Sequence, residues 1–261
     1  MSIANLSWIA LLALLVLAVL QGITYVIGRR IGRYNVVDVI WGLGFVLVAL
    51  LAAVLGDGDG FRRLSLLILV SVWGLRLSWH MHRRTAGHGE DPRYAELLER
   101  HGGGAGVAFR RIFLIQGASQ WLISLPIQVS AVAGPTRGLS RVVLIAGVAI
   151  WLLGFLFEAV GDRQLRRFRA DPRNRGKIMD RGLWAWTRHP NYFGDACVWW
   201  GIWLIAASAW PGVLTVLCPA LMSYILIRGT GARLLERTMG DRPGYQDYRR
   251  RTAYFFPRPP R

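Results

Sequence analysis

Long, uninterrupted apolar runs alternate with short segments dense in arginine, and this alternation dominates the chain. A helix needs roughly 20 apolar residues to cross a hydrocarbon core. On that measure spans are predicted at 5–27, 37–55, 63–82, 112–133, 140–160, 192–209 and 212–229. The runs are continuous and do not alternate with period two, which excludes the strands of a closed β-barrel. The first run, from Ile3 to Ile27, is too long for a signal-peptide core and lacks a basic start, so it is expected to remain as a span. The expectation is an all-α polytopic membrane protein of about seven transmembrane helices, a single membrane domain over 1–261 without internal repeats.

Charge sharpens this picture. The 261 residues are 53% hydrophobic yet carry 32 Lys+Arg against 15 Asp+Glu, a net charge of +17. A basic soluble protein would suggest nucleic acid. Here the cations fall between apolar runs, where anionic headgroups favour them, so a lipid bilayer is the expected partner and nucleic acid is not. Arg29, Arg30 and Arg33 follow the first span and six arginines from Arg83 to Arg111 follow the third. Nine cations from Arg163 to Lys177 and on to Arg188 follow the fifth, and nine arginines from Arg228 onward form the tail. The other side has only Arg62, Arg63, Arg137 and Arg141. The positive-inside tendency then puts the N-terminus outside and the C-terminus in the cytoplasm. Pro190 and Pro211 bracket the sixth span, and tryptophans around it, Trp184 to Trp210, suit interfacial anchoring. Gly102–Gly106 marks a flexible break between the third and fourth spans.

Ionisable groups at membrane depth are expensive and mark candidate function. Asp38 and Arg76 fit either a functional pair or a structural tie between the second and third spans, whereas Glu158 and Asp195 lie near the richest basic loop. From Glu158, the residues Asp162, Leu165 and Arg169 follow at helical spacing, giving one face acids and a base. Pro190 suits the first turn of a new helix. That helix start, with Arg169, Lys177, Arg181 and Arg188 nearby, offers an anion site fit for a phosphate-bearing cofactor; contact with lipid headgroups is the plainer alternative. His189 fits catalysis and fits equally a turn held by backbone hydrogen bonds. No histidine or cysteine spacing suits a metal, so none is predicted, and Cys197 and Cys218 read as small hydrophobes. In the tail, the spacing of Tyr245, Tyr248 and Tyr254 favours ordered packing.

Several blocks resemble the bacterial membrane family DUF1295, related to steroid 5-alpha-reductases. They are Asp38-x2-Trp41-Gly42-x-Gly44, Arg76-Leu77, Gly89-Glu90-Asp91-x-Arg93-Tyr94, Glu158-x3-Asp162-x-Gln164-Leu165, the run from Gly182 through Arg188-His189-Pro190-Asn191-Tyr192 to Gly194, and Arg242-Pro243-Gly244-Tyr245-x2-Tyr248-x3-Thr252. The Arg-His-Pro-Asn-Tyr block is shared with isoprenylcysteine-type methyltransferases. The resemblance implies a seven-helix enzyme of the bacterial inner membrane that binds NADPH from the cytoplasm, with the cofactor half at about 140–261. By this resemblance it reduces a C=C bond conjugated to a carbonyl in a lipophilic, steroid-like or isoprenoid substrate. Glu158, Asp162 and Arg169 fall at the reductases' cofactor-binding positions, and Asn191-Tyr192-Phe193-Gly194-Asp195 matches their Asn-Tyr/Phe-x-Gly-Glu stretch with Asp for Glu. Arg228 and Arg249 match their last basic residues, and Lys177, Arg188, His189, Tyr192 and Tyr245 complete the implied cofactor set. The reductases' Gln-Glu pair on the second span is absent, leaving Asp38 as the ionisable group of span 2 and Tyr94 as the nearest tyrosine to serve the carbonyl. The alternatives are a methyltransferase using S-adenosylmethionine, for which Glu236 and the Arg-His-Pro block speak, and a lipid-binding scaffold without turnover.

Overall fold

The computed structural model describes residues 2–229, 231–240 and 242–260, apart from the side chains of Leu234, Arg237 and Thr238. Arg237 and Arg261, both part of the basic tail, therefore lie outside the described side chains. The described chain is all-helical, with one isolated bridge between Thr187 and Ala253. Six helices are long and apolar enough to cross a membrane: Ile3–Ile31, Val36–Leu55, Gly60–Thr85, Ala105–Ser130, Ser140–Ala170 and Gly212–Gly229. The expected span at 192–209 is a helix at Pro190–Ala207, but it is not among the six. Asn191, Tyr192 and Asp195 occupy its first turns, and Trp199, Trp200 and Trp203 stand where aliphatic residues would raise its hydropathy. The chain divides into two compact units, one of residues 1–140 and 206–215, the other of 141–205 and 216–261.

The first unit is built on α1 (Ile3–Ile31), α2 (Val36–Leu55) and α3 (Gly60–Thr85). Much of α1 is exposed apolar surface, from Trp8 through Leu15 to Ile27, as lipid contact requires. Helices α2 and α3 meet without side chains between them: a Cβ on Gly42 would lie 2.2 Å from the carbonyl oxygen of Gly74. Small residues at such crossings let helices gain dispersion contact where lipid offers no hydrophobic drive. After α3 comes α4 (Pro92–Arg100), with Asp91 as its N-cap and Pro92 in its first turn. The fourth apolar stretch is segmented into α5 (Ala105–Ala108), a π-helical turn (Phe109–Leu114), α6 (Ile115–Ile123) and α7 (Leu125–Ser130). Val37, Ala108, Ile112 and Phe113 form a core here, with Tyr34, Tyr94 and Leu97 packed on it.

The second unit begins with α8 (Ser140–Ala170), a single helix of 31 residues that runs ten residues past its expected end at 160. Glu158, Asp162 and Arg169 thus share one continuous helix. The short α9 (Leu183–Trp186) leads into α10 (Pro190–Ala207), which starts at the expected proline. Gly154 of α8 meets Gly194 of α10, where a Cβ on either would approach the opposing backbone to 2.5 Å. The last apolar stretch ends as α11 (Leu217–Tyr224) and a π-helical turn (Ile225–Gly229), followed by α12 (Ala232–Met239) and α13 (Tyr245–Arg251).

Candidate functional site

In the first unit the candidate chemistry gathers at the start of α2. Val37 and Asp38 of its first turn donate to the carbonyls of Tyr34 and Asn35, and a loop supplies acceptors for the two amides just before the helix. Glu90 accepts from the amides of Tyr34 at 2.5 Å and Asn35 at 3.0 Å, a negative charge placed at the positive end of the helix dipole. Asn35 Nδ2 donates in return to the Gly89 carbonyl, 2.8 Å, and Arg33 holds the carbonyls of Thr85 and His88. So clipped, the loop delivers α4 to the first turn of α2, where Asp38 lies.

Both oxygens of Asp38 are taken. Tyr94 Oη donates to Oδ1 at 2.5 Å and Arg93 Nη2 to Oδ2 at 2.9 Å. Arg93 also donates through Nε and Nη2 to Asp91, each at 2.9 Å, and Gln116 Nε2 donates to Tyr94 Oη at 2.9 Å. The Asp38 side chain is 11% exposed and that of Arg93 28%, so the group is shielded but reachable. Burial and then the Asp38 charge push the Tyr94 phenol well above its ordinary range. Against its own burial, Asp91 is held below the usual carboxylate range by Arg93. The two residues singled out from the sequence, Asp38 and Tyr94, are therefore in direct contact. The described partners of Asp38 are Arg93 and Tyr94, where the sequence suggested Arg76. Sequence reading missed Arg93 and Gln116. Gln116 and Gln120, one helical turn apart in an apolar stretch, were the available signal.

The remaining candidates all belong to the second unit. Glu158, Asp162 and Asp195 are buried on α8 and α10, and Asn191 Nδ2 donates to Asp162 Oδ1 at 3.2 Å. Arg169, Lys177, Arg228 and Arg249 are exposed. Arg188 is 8% exposed and engaged through two of its nitrogens: Nε donates to Glu236 at 2.6 Å, Nη1 to the carbonyls of Arg249 and Thr252 at 2.8 and 2.9 Å, and its guanidinium lies over the Tyr254 ring. His189 Nε2 is 3.3 Å from Glu236, and its ring stacks on Tyr192. Burial lowers the His189 pKa; hydrogen bonds from His189 and Arg188 override the burial of Glu236 and hold it down to about 2. Tyr245, pushed up to about 12 by burial and by Glu236, is buried with Tyr248, whose hydroxyl donates to the Trp184 carbonyl at 2.6 Å. Thr187 Oγ1 donates to the Phe255 carbonyl at 2.9 Å, and Arg251 pairs with Asp180. Among the described residues the tail is ordered packing, as its tyrosine spacing suggested, and Arg188 anchors it through Nε and Nη1.

No solved structure matches the chain. An uncharacterized protein of Schizosaccharomyces pombe is 23% identical over 228 residues, covering 78% of this chain and 66% of that one. The steroid 5-alpha-reductase DET2 of Arabidopsis thaliana is 31% identical over 70 residues, 26% of each chain. The chain thus spans just under two thirds of the first relative and about a quarter of the second. The family model described as Protein of unknown function (DUF1295) matches residues 24–252, and on that match the chain belongs to the DUF1295 family.

Proposed function

We propose that the protein is a membrane reductase that uses NADPH to saturate a C=C bond conjugated to the carbonyl of a lipophilic molecule. The observation that carries this reading is the Tyr94–Asp38 hydrogen bond of 2.5 Å, within a shielded cluster of side chains. Reduction of an enone needs a donor at the carbonyl oxygen as negative charge develops there. A phenol backed by a carboxyl supplies it: as a carbonyl oxygen arrives, the Tyr94 hydrogen turns from Asp38 Oδ1 to it, and Asp38, having taken up a proton, gives that proton to Tyr94 in its place. Arg93 orients the carboxyl from its far side. The distant similarity to a steroid 5-alpha-reductase points the same way.

The donor set of the second unit suits a dinucleotide. The exposed cations Arg169, Lys177, Arg228 and Arg249 fit its phosphates, and the acids Asp162 and Asp195 with Asn191 fit its hydroxyl and carboxamide groups. When bound, the nicotinamide supplies the hydride for the β-carbon. We place α10 as a seventh span, the N-terminus outside and the tail in the cytoplasm, from the arginine asymmetry of the loops, and the protein in a bacterial inner membrane.

The methyltransferase reading keeps one observation of its own, the joining of Arg188 and His189 through Glu236. Titration of the detergent-purified chain with NADPH and S-adenosylmethionine in parallel separates the two. Saturable binding of NADPH alone is expected; binding of S-adenosylmethionine alone overturns the reductase, and a scaffold binds neither.

A further inference from the structure

We propose that Gln116 is the positioning residue of the Asp38–Tyr94 pair, its amide holding the phenolic oxygen from one side so that the hydrogen rests on Asp38 until a carbonyl takes it. The proposal rests on the reading of Tyr94 as the group that serves the carbonyl. A phenol has one hydrogen to give and an oxygen that accepts, and about its C–O bond that hydrogen swings freely unless a partner stops it. Gln116 Nε2, a donor only, occupies the oxygen at 2.9 Å. The hydrogen is then left for Asp38 Oδ1, at 2.5 Å.

The backbone gives Gln116 this place. The π-helical turn Phe109–Leu114 precedes it and shifts the phase of the helix, and such turns gather at functional sites. Ile112 and Phe113 fill the core against Val37 with Tyr94 packed on it, and Gln116, three residues on, reaches the Tyr94 hydroxyl. One turn on, Gln120 fixes the register of α6. Its Nε2 donates to the Trp41 carbonyl at 2.8 Å, and its Oε1 accepts from Gln21 at 2.7 Å. Two contacts one turn apart on α6 thus meet Tyr94, which bonds Asp38, and the Trp41 carbonyl one turn further along α2. Gln116 cannot drift while Gln120 is held.

Gln116 keeps its contact through the proton relay. When a carbonyl takes the Tyr94 hydrogen, the Tyr94 O–H bond breaks and an O–H bond forms on the substrate's enolate oxygen. The Asp38 acid proton passes to the Tyr94 oxygen, leaving the carboxylate with Arg93. The electron pair arrives as the hydride of NADPH. Throughout, the Gln116 N–H faces the phenolic oxygen, and it stabilises that oxygen most as negative charge builds there.

The test uses the full chain in detergent micelles with 13Cζ-labelled tyrosine, the Tyr94 resonance being assigned by its loss in Tyr94→Phe. Gln116→Leu removes the N–H and keeps the bulk; Gln116→Glu keeps the shape and polarity without it. The Tyr94 titration midpoint is expected to rise by about one pH unit in Gln116→Leu and further in Gln116→Glu. With NADPH and a long-chain alkyl cyclohexenone, Gln116→Leu should lower kcat about tenfold with KM little changed, a loss confined to the transition state. A midpoint unmoved in both variants overturns the proposal. A raised midpoint in a chain whose wild type turns over no enone supports the positioning role and removes the carbonyl reading instead.

Discussion

Arg93 and Arg188 are both shielded guanidinium groups paired with a carboxylate, and they differ in what surrounds the pair. Around Arg188 the remaining partners are main-chain carbonyls, those of Arg249 and Thr252, and its own amide donates to Ala253. Around Arg93 the partners are the side chains of Asp38 and Asp91, with Tyr94 and Gln116 completing the set. A cation bound to backbone fixes the path of the chain and must stay put. A cation bound to a carboxyl that also meets a phenol allows hydrogens to be reassigned while no atom of the backbone moves. The first arrangement builds structure, and the second is available for chemistry.

The sharpest way to break this contrast is Arg188→Ala. It strands Glu236 and two carbonyls in a largely dry place, and loss of one partner of a buried pair costs about 3–5 kcal/mol. Chemical denaturation in detergent should show that loss, with the tail residues 245–258 exposed to protease first. A variant as stable as the wild type would place Arg188 among the groups free to bind a ligand. Tyr94→Phe is its counterpart. Cyclohexenone turnover should fall about 100-fold, near 2.7 kcal/mol of barrier, with the unfolding midpoint almost unmoved. A large fall in stability instead would make the Asp38 cluster structural too.

Acid should separate the units more gently. Glu236 is depressed from 4.5 to about 2, so its contribution is present above 4.5 and is lost as pH falls from there toward about 2. His189, lowered by burial, adds to the same trend once pH drops below its ordinary 6.5, because the unfolded chain then binds a proton that the folded one resists. Hydrogen-exchange protection factors, corrected for the intrinsic pH dependence of amide exchange, should fall on acidification for amides in 245–255 more than for those of α2; an equal fall would deny the Arg188 cluster its local role. The smallest expected effect is at Asn191 and Arg169. Each alanine variant should weaken NADPH binding several-fold, and unchanged affinity in both would remove them from the cofactor set.

The helices are readable because apolar run length is a one-dimensional property: six of the predicted spans fall on helical stretches long and apolar enough to cross a membrane, though those at 112–133 and 212–229 are segmented. The misjudged end of α8 has a local cause. Arg163, Arg166, Arg167 and Arg169 stop the hydrophobic run, yet arginine is a good helix former and the helix continues. Asp38 stood out as a charge at membrane depth, and Tyr94 came only through the family motif. Their meeting depends on Glu90 capping a helix 55 residues earlier in the chain, a long-range hydrogen bond that no periodicity announces. Gln116 was passed over because a neutral amide in an apolar stretch raises no charge alarm, and because the π-helical turn alters which residues share its face. The ion pair of Arg188 is invisible in the sequence because its partly buried partner, Glu236, lies 48 residues away.

The length of α8 has a consequence for reach. At about 1.5 Å per residue its 31 residues extend about 46 Å, against a hydrocarbon layer of about 30 Å. The helix therefore exceeds such a layer by about ten residues, the stretch in which Arg163, Arg166, Arg167 and Arg169 lie exposed. One unbroken rod thus joins an oily shaft to a charged tip, and no hinge or linker has to be built between them.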